Sequence, residues 1–232
     1  NRGSVGECLG RAWKKAGLVV GEASVDEYGV GDGVGKSTRD PVLRFQFSST
    51  ASYLGGSLAE ANHVAGFCEE VGRVSLLGGF DSEEELIRAN LRSNVKASFV
   101  SRLGAPTIHK RRFVDTHTDA RIFELYVMDD TPLAPEQETI LVHTLAERIG
   151  AYDIVIVVDY GHGMLGPASV ETLCDGARFL AVNTQANAGN RGFNTISKYR
   201  CADYVCLAMH EIALETRMRH ADWRVLVTEV TK

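Results

Sequence analysis

Several things are scarce or missing in this chain of 232 residues, and each absence narrows what it can be. The formal net charge is −5, so no basic stripe is available for nucleic acid. No apolar run reaches the length of a bilayer span, and no secretory or transit pattern follows Asn1. There is no internal repeat and no low-complexity tract. Five cysteines (Cys8, Cys68, Cys174, Cys201 and Cys206) stand at irregular spacings without a Cys-x-x-Cys pair, which argues against a structural zinc site. Their apolar contexts mark them as reduced core thiols. With 44% apolar and 24% charged residues, the composition is that of an ordinary globular domain, and the expected setting is the cytoplasm.

Two nucleotide motifs are also lacking. Gly29-Val30-Gly31-Asp32-Gly33-Val34-Gly35-Lys36-Ser37 ends like a phosphate loop, but Val30 occupies the position where that loop needs its first glycine. The dinucleotide pattern G-x-G-x-x-G fails in every register. No helix opens at these glycines, so the stretch reads as a flexible connector.

What is present is a series of β-branched runs. Ile154 to Val158 is apolar throughout, as expected of a strand buried on both faces, and stops at Asp159-Tyr160-Gly161-His162-Gly163. In open α/β sheets the carboxyl ends of parallel strands carry the polar site, so this segment is either that site or a tight strand-to-helix turn. Further strands are expected at Gly17 to Val20, Arg73 to Leu77, Phe179 to Val182 and Tyr204 to Leu207. Helical spacing joins Leu58, Ala61, Ala65 and Cys68, then Leu86 to Leu91, then Ile140, Leu141, Leu145 and Ile149 behind Pro135. Asp222 is placed to cap a last helix carrying Trp223, Leu226, Val227 and Val230. Alternating strands and helices imply an α/β fold with a mostly parallel sheet covered on both faces.

Period-two alternation breaks this rhythm at 42–47 and 122–127. With Thr107 to Val114 and the turn 115–119 it predicts a small separate sheet, serving as a lid or a dimer surface. Around the expected sites, Glu22 and Asp26 follow the first strand and suit sugar hydroxyls or, equally, solvent. Gly55-Gly56 precedes the helix of Asn62, whose amide could hold a ligand or a neighbouring loop. Lys110 and Arg112 share one face of a strand, as a phosphate clamp or as protection of an edge.

In order, these motifs are a strand ending in acids, Gly-Gly before a helix with Asn, Thr-x-x-Lys-x-Arg, Arg-x-x-Glu, and Asp-Tyr-Gly-x-Gly. From about Gly17 onward the chain resembles the ribokinase-like (PfkB) carbohydrate kinases. It is most similar to the bacterial heptose 7-phosphate kinase branch, which includes relatives fused to a nucleotidyltransferase domain. The resemblance implies a three-layer α/β/α kinase domain over 16–232, incomplete at its C-terminus, after an extension or linker at 1–15. Lid strands would fall within 40–54 and 107–128.

It further implies ATP- and Mg²⁺-dependent phosphorylation of a sugar or sugar phosphate, in a homodimer joined through the lid. Substrate would meet Glu22, Asp26, Gly55, Gly56, Asn62, Lys110, Arg112, Glu124 and Asp159. Asn183 and Glu211 would serve the nucleotide, with Glu211 acting indirectly on magnesium. Three departures stand out. His162 replaces the family's lysine, Ala208 replaces its asparagine, and the Gly-Ala-Gly-Asp segment with the catalytic base is absent from the sequence. No residue of the chain is therefore assigned as catalytic, and the base aspartate is expected beyond Lys232. The chain is expected to be a piece of a longer protein, inactive alone. Lys198 is expected to be solvated. The alternatives are a noncatalytic ligand-binding or assembly module, and a nucleoside kinase of the same fold. The basic strand Thr107 to Arg112 disfavours the latter.

Overall fold

The computed structural model describes Gly10 and residues 13–231. Six parallel strands form the main sheet in the order β10-β9-β8-β1-β4-β5. They are β1 (Ala16–Gly21), β4 (Glu70–Phe80), β5 (Val95–Pro106), β8 (Ile154–Asp159), β9 (Leu180–Thr184) and β10 (Tyr204–Val205). The central strands are β-branched and Leu18, Val19 and Val20 are fully buried, because helices cover both faces. On one face lie α3 (Pro135–Ile149) and α4 (Pro167–Gly176), which bury Leu141, Leu145 and Leu173 against Leu18, Val155 and Val182. On the other lie α1 (Ser57–Val64) and α2 (Glu84–Asn90), with Ala61 and Ile87 inward. This is the three-layer α/β/α arrangement expected. After β10 come α5 (Met209–Thr216) and α6 (Trp223–Val230), the latter capped by the Asp222 carboxylate, which accepts a hydrogen bond from Arg224 N at 2.9 Å.

A second, four-stranded sheet has the order β3-β2-β6-β7, built from β2 (Ala23–Lys36), β3 (Leu43–Gly56), β6 (Ile108–Asp115) and β7 (Arg121–Val127). The period-two segments thus lie in one sheet, and β6 and β7 form the expected antiparallel pair. The connector expected at Gly29 to Ser37 is corrected, since most of it belongs to strand β2. Its glycines serve packing. A Cβ on Gly31 would stand 2.2 Å from Gln46 O and 2.8 Å from the Phe45 ring, and the Phe113 ring lies over Gly29 in the same way. Aromatic rings from neighbouring strands fill the space that side chains of β2 leave empty.

The cysteine expectation also changes. Cys174 and Cys201 form a disulfide with Cα atoms 5.6 Å apart, while Cys68 is a buried free thiol and Cys206 an exposed one. Spacing along the chain carried no information about this proximity, because α4 and the segment after β9 meet only in the fold. Cys8 and most of the expected extension at 1–15 lie outside the described residues. So does Lys232, the residue beyond which the catalytic aspartate is expected. Among the described residues no helix is long and apolar enough to cross a membrane.

Candidate functional site

β8 ends at Asp159, which is 1% exposed. Its Oδ1 accepts from Gly161 N at 2.9 Å and Asn194 Nδ2 at 3.1 Å. Its Oδ2 accepts from Lys198 Nζ and Tyr199 OH, both at 2.7 Å. The carboxylate thus fills the roughly four acceptor positions it has, and a charge that would be costly to bury becomes the anchor of the turn. Lys198, expected in solvent, is corrected to the partner of this buried acid. Burial, and then the Asp159 charge, raise the Tyr199 phenol well above its ordinary range.

The turn after β8 is shaped from outside by the segment after β9. Asn187 and Asn190 both donate to Tyr160 O, at 2.7 and 3.0 Å, and Asn194 donates to Asp159 O at 2.8 Å. Gly161 has φ +70°, and a Cβ there would stand 2.7 Å from Asn190 Nδ2 and from Asn194 Cβ, so only glycine fits. These three asparagines and Tyr199 were missed in the sequence. The one available signal was the clustering of asparagine within 187–194.

Glu22 is the single residue between β1 and β2. It is 3% exposed, and its carboxylate accepts from Tyr160 N and His162 N, each at 3.0 Å. Burial, then the charge of Asp159, outweigh these bonds and push the Glu22 carboxyl up to about 7. Its carbonyl receives Ser57 N and Oγ at the start of α1. Glu22 is therefore bound within the protein rather than paired with Asp26 toward solvent.

Asp26 lies further along β2, and the second sheet surrounds it. Arg112 Nη1 approaches its Oδ2 at 3.1 Å, and Arg112 Nε approaches Glu124 Oε1 at 3.3 Å. A Cβ on Gly55 would lie 2.6 Å from the Asp26 carboxyl carbon, so the glycine lets the strand pass directly behind the acid. Gly56, with φ +55°, opens α1 beside Glu22. The Lys110 ammonium sits 5.3 Å from the Tyr160 ring centre and 5.7 Å from that of Tyr126. Burial holds its pKa below the usual lysine value. Glu124 also accepts from Tyr126 OH at 2.5 Å, which together with Arg112 keeps its carboxyl acidic.

Asn62 stands apart from this cluster. Its amide donates to Asn90 O and accepts from Arg92 N, both at 2.9 Å, which ties α1 to the loop before β5. The reading in which Asn62 satisfies a neighbouring loop is the one the structure has.

The two nucleotide-side residues are likewise engaged. Asn183 donates to Cys206 O at 2.7 Å. Glu211 accepts from Ala208 N at 2.6 Å and Ala186 N at 3.0 Å, capping α5 and fixing the start of the segment after β9. Among the described residues no three His, Cys, Asp or Glu side chains gather as a metal site.

Between the two sheets lies a small cavity of about 20 Å³, room for about one water molecule, lined by Glu22, Leu77, Arg102, Thr107, Asp129 and His162 among others. The acids, glycines and cations predicted from sequence therefore form one connected cluster. Glu22 joins Gly56 to the turn of Asp159, and Lys110 joins that turn to Asp26, Arg112 and Glu124. Asn62, Asn183 and Glu211 lie outside it.

Comparison with known proteins is consistent with this architecture. No family model matches the chain. The bifunctional protein HldE of Koribacter versatilis is 29% identical over 205 residues, which is 87% of this chain and 40% of that protein. HldE of Citrifermentans bemidjiense is 26% identical over 192 residues, 83% of this chain and 39% of that protein. The chain thus spans about 40% of the length of these curated relatives. Among solved structures, phosphofructokinase-2 from Escherichia coli in complex with fructose-6-phosphate superimposes with a TM-score of 0.67 at 13% identity, covering 94% of this chain and 69% of the other. A carbohydrate kinase from Agrobacterium tumefaciens gives 0.65 at 18% identity, with 94% and 67% covered. Arabidopsis thaliana ribokinase complexed with ribose and ATP gives 0.60 at 13%, with the same coverage. In fold the chain matches carbohydrate kinases of the ribokinase type, and in sequence it is similar to the bifunctional protein HldE.

Proposed function

We propose that the chain forms the sugar-binding part of a kinase that phosphorylates a sugar or sugar phosphate from ATP, with heptose 7-phosphate the substrate the motif resemblance favours. The observation that carries this reading is the position of Lys110. Its ammonium is held by two aromatic rings instead of a carboxylate, beside the Arg112–Asp26 pair and above the turn of Asp159. Such a cation keeps donors for an anionic substrate, while Asp26 accepts hydroxyls. Phosphoryl transfer asks a protein for in-line positioning and charge stabilisation, and these residues supply positioning on the acceptor side. Tyr160 and Tyr126 limit water around the ammonium, which strengthens its pairing with an anion.

ATP belongs to the proposal through the resemblance. Asn183 and Glu211 already serve backbone groups, and the described residues do not assemble a magnesium site, so no step is derived through the metal. The general base is assigned to a segment beyond Lys232, outside this sequence. The same proposal includes a homodimer through the exposed apolar face of the second sheet, where Phe47 is 56% and Leu125 46% exposed, and a cytoplasmic location. A nucleotidyltransferase domain fused in the whole protein completes it.

The test is ADP formation by the whole protein with a panel of sugars and sugar phosphates. Sugar-dependent ADP release, lost on Asp26→Asn and weakened for phosphorylated sugars on Lys110→Met, supports the kinase. A noncatalytic ligand-binding module is the second reading, favoured by Ala208 and by the use of Glu211 as a cap. Sugar binding without any ADP release would establish it.

A further inference from the structure

Arg73 is fully buried, and among the described residues none of its three guanidinium nitrogens has a hydrogen-bond partner. A cation without partners is among the costliest groups a core can hold, so its presence calls for a role. Arg73 lies in β4 beside Val19 of β1, on the face that α1 covers through Ala61. Glu60, the residue before Ala61, has a buried oxygen of its own, Oε2, that is equally without a hydrogen bond. Of the charges around Arg73, that of Glu60 favours its charged form most and that of Glu22 next. The two unsatisfied groups are thus opposite charges held near each other under α1. Burial lowers Arg73 to about 9, and it remains a cation at pH 7.

The other oxygen of Glu60 leads to the site. Glu60 Oε1 accepts from Tyr160 OH at 2.9 Å, and the Lys110 ammonium lies 5.3 Å from the centre of the Tyr160 ring. The backbone of Tyr160 is fixed separately, its N–H by Glu22 and its carbonyl by Asn187 and Asn190. Those bonds hold the main chain but do not choose the side-chain rotamer. The bond from the phenol to Glu60 does, and a carboxylate acceptor makes it a strong one.

We infer that Arg73 and Glu60 are positioning residues: the buried cation anchors the Glu60 carboxylate, the carboxylate tethers the Tyr160 phenol, and the tethered ring sets the place of the Lys110 ammonium that meets an anionic substrate. The inference rests on the sugar-kinase reading and extends it from residues that would touch the ligand to two that would not. A ring fixed at both ends narrows the positions open to the ammonium, so less freedom is lost when an anion binds.

The ¹³Cε resonance of Lys110 in the full chain, followed against pH and identified by its loss in Lys110→Met, reports on the ammonium without any ligand. Tyr160→Phe is expected to raise the Lys110 pKa toward the ordinary lysine value, because a loose ring admits water to a group that burial now depresses. Arg73→Met combined with Glu60→Leu removes both buried charges at once, so neither is left alone in the core, and is expected to give the same rise. Adding Tyr160→Phe to that pair is expected to change nothing further, as for groups acting in series. In calorimetric titration with D-fructose, D-sedoheptulose and their terminal phosphates, each of these variants should weaken the phosphates roughly fivefold and leave the neutral sugars unchanged. If the paired variant does not fold, Glu60→Asp and Arg73→Lys, which keep the charges but shorten their reach, take its place and should give the same rise in smaller measure.

A Lys110 titration unaltered by Tyr160→Phe would overturn the tether. A shift in Tyr160→Phe that the substitutions at Arg73 and Glu60 do not reproduce, or effects that add, would overturn the role of the two buried charges. An equal loss for the neutral sugars would show a general loosening of the site and overturn the positioning role. Shifted Lys110 resonances in a chain that binds none of the four probes would uphold the tether and overturn the sugar-site reading.

Discussion

Replacing Glu22 by glutamine should make the protein's stability depend on pH in a way that isolates one buried proton. The Glu22 carboxyl rises from 4.5 to about 7 on folding, because burial and the Asp159 charge disfavour its ionised form. A group whose folded pKa is raised contributes stability that is fully present below the unfolded value and disappears as pH climbs through the folded value. The window is therefore pH 4.5 to 7, and the shift corresponds to about 3 kcal/mol. Glutamine does not titrate, but it turns an NH₂ group toward one of the backbone N–H groups of Tyr160 and His162 and so loses a bond, at a cost of roughly 1 kcal/mol that is independent of pH.

Urea denaturation of both proteins at pH 4.5, 6 and 8 measures the difference directly. The difference is the informative quantity, because His162, held down at about 4, loses stability in the opposite direction as pH falls and cancels from it. Glu22→Gln should gain on the parent by about 3 kcal/mol between pH 4.5 and 8. A difference that stays constant across this range would refute the claim that Glu22 carries a proton near neutrality.

Two further substitutions probe the parts that hold the site. Lys198→Met leaves the Asp159 carboxylate, 1% exposed, without its counter-charge, and should cost roughly 3 kcal/mol at pH 8 by urea denaturation. Stability equal to the parent would mean that Asn194 and Tyr199 suffice. Gly31→Ala places a Cβ 2.2 Å from Gln46 O and should raise amide exchange across β2 and β3 selectively, at a cost of about 2 kcal/mol. Unchanged protection there would show that the second sheet tolerates a filled β2.

The main sheet was legible because β1 and β8 are apolar on both faces, a pattern that only a doubly covered strand needs. β5 was not, since Lys96, Ser98, Ser101 and Arg102 interrupt its apolar residues; a strand at the sheet's edge tolerates the exposure of Lys96 and Ser101, while Arg102 is buried and paired with Asp129. β2 was hidden for a different reason. Glycine in a sequence signals a turn, and nothing local reveals that rings on the neighbouring strands, Phe45 of β3 and Phe113 of β6, fill the gaps. At the site, Glu22 and Asp26 look alike as letters. Only the fold separates the acid buried against the turn of Asp159 from the one paired with Arg112. Lys198 looked like solvated charge because its partner lies 39 residues earlier. The asparagines that hold Tyr160 O act through backbone groups, which leave no mark in a side-chain pattern.

β1 and β2 are joined by one residue, so the two sheets have no slack between them. That same residue grips the backbone after β8 with its carboxylate and the first turn of α1 with its carbonyl. The joint is thus a lever with three arms. Any tilt of the small sheet over a ligand must drag Tyr160, His162 and Ser57 with it, so closure and the reshaping of the pocket floor become a single movement.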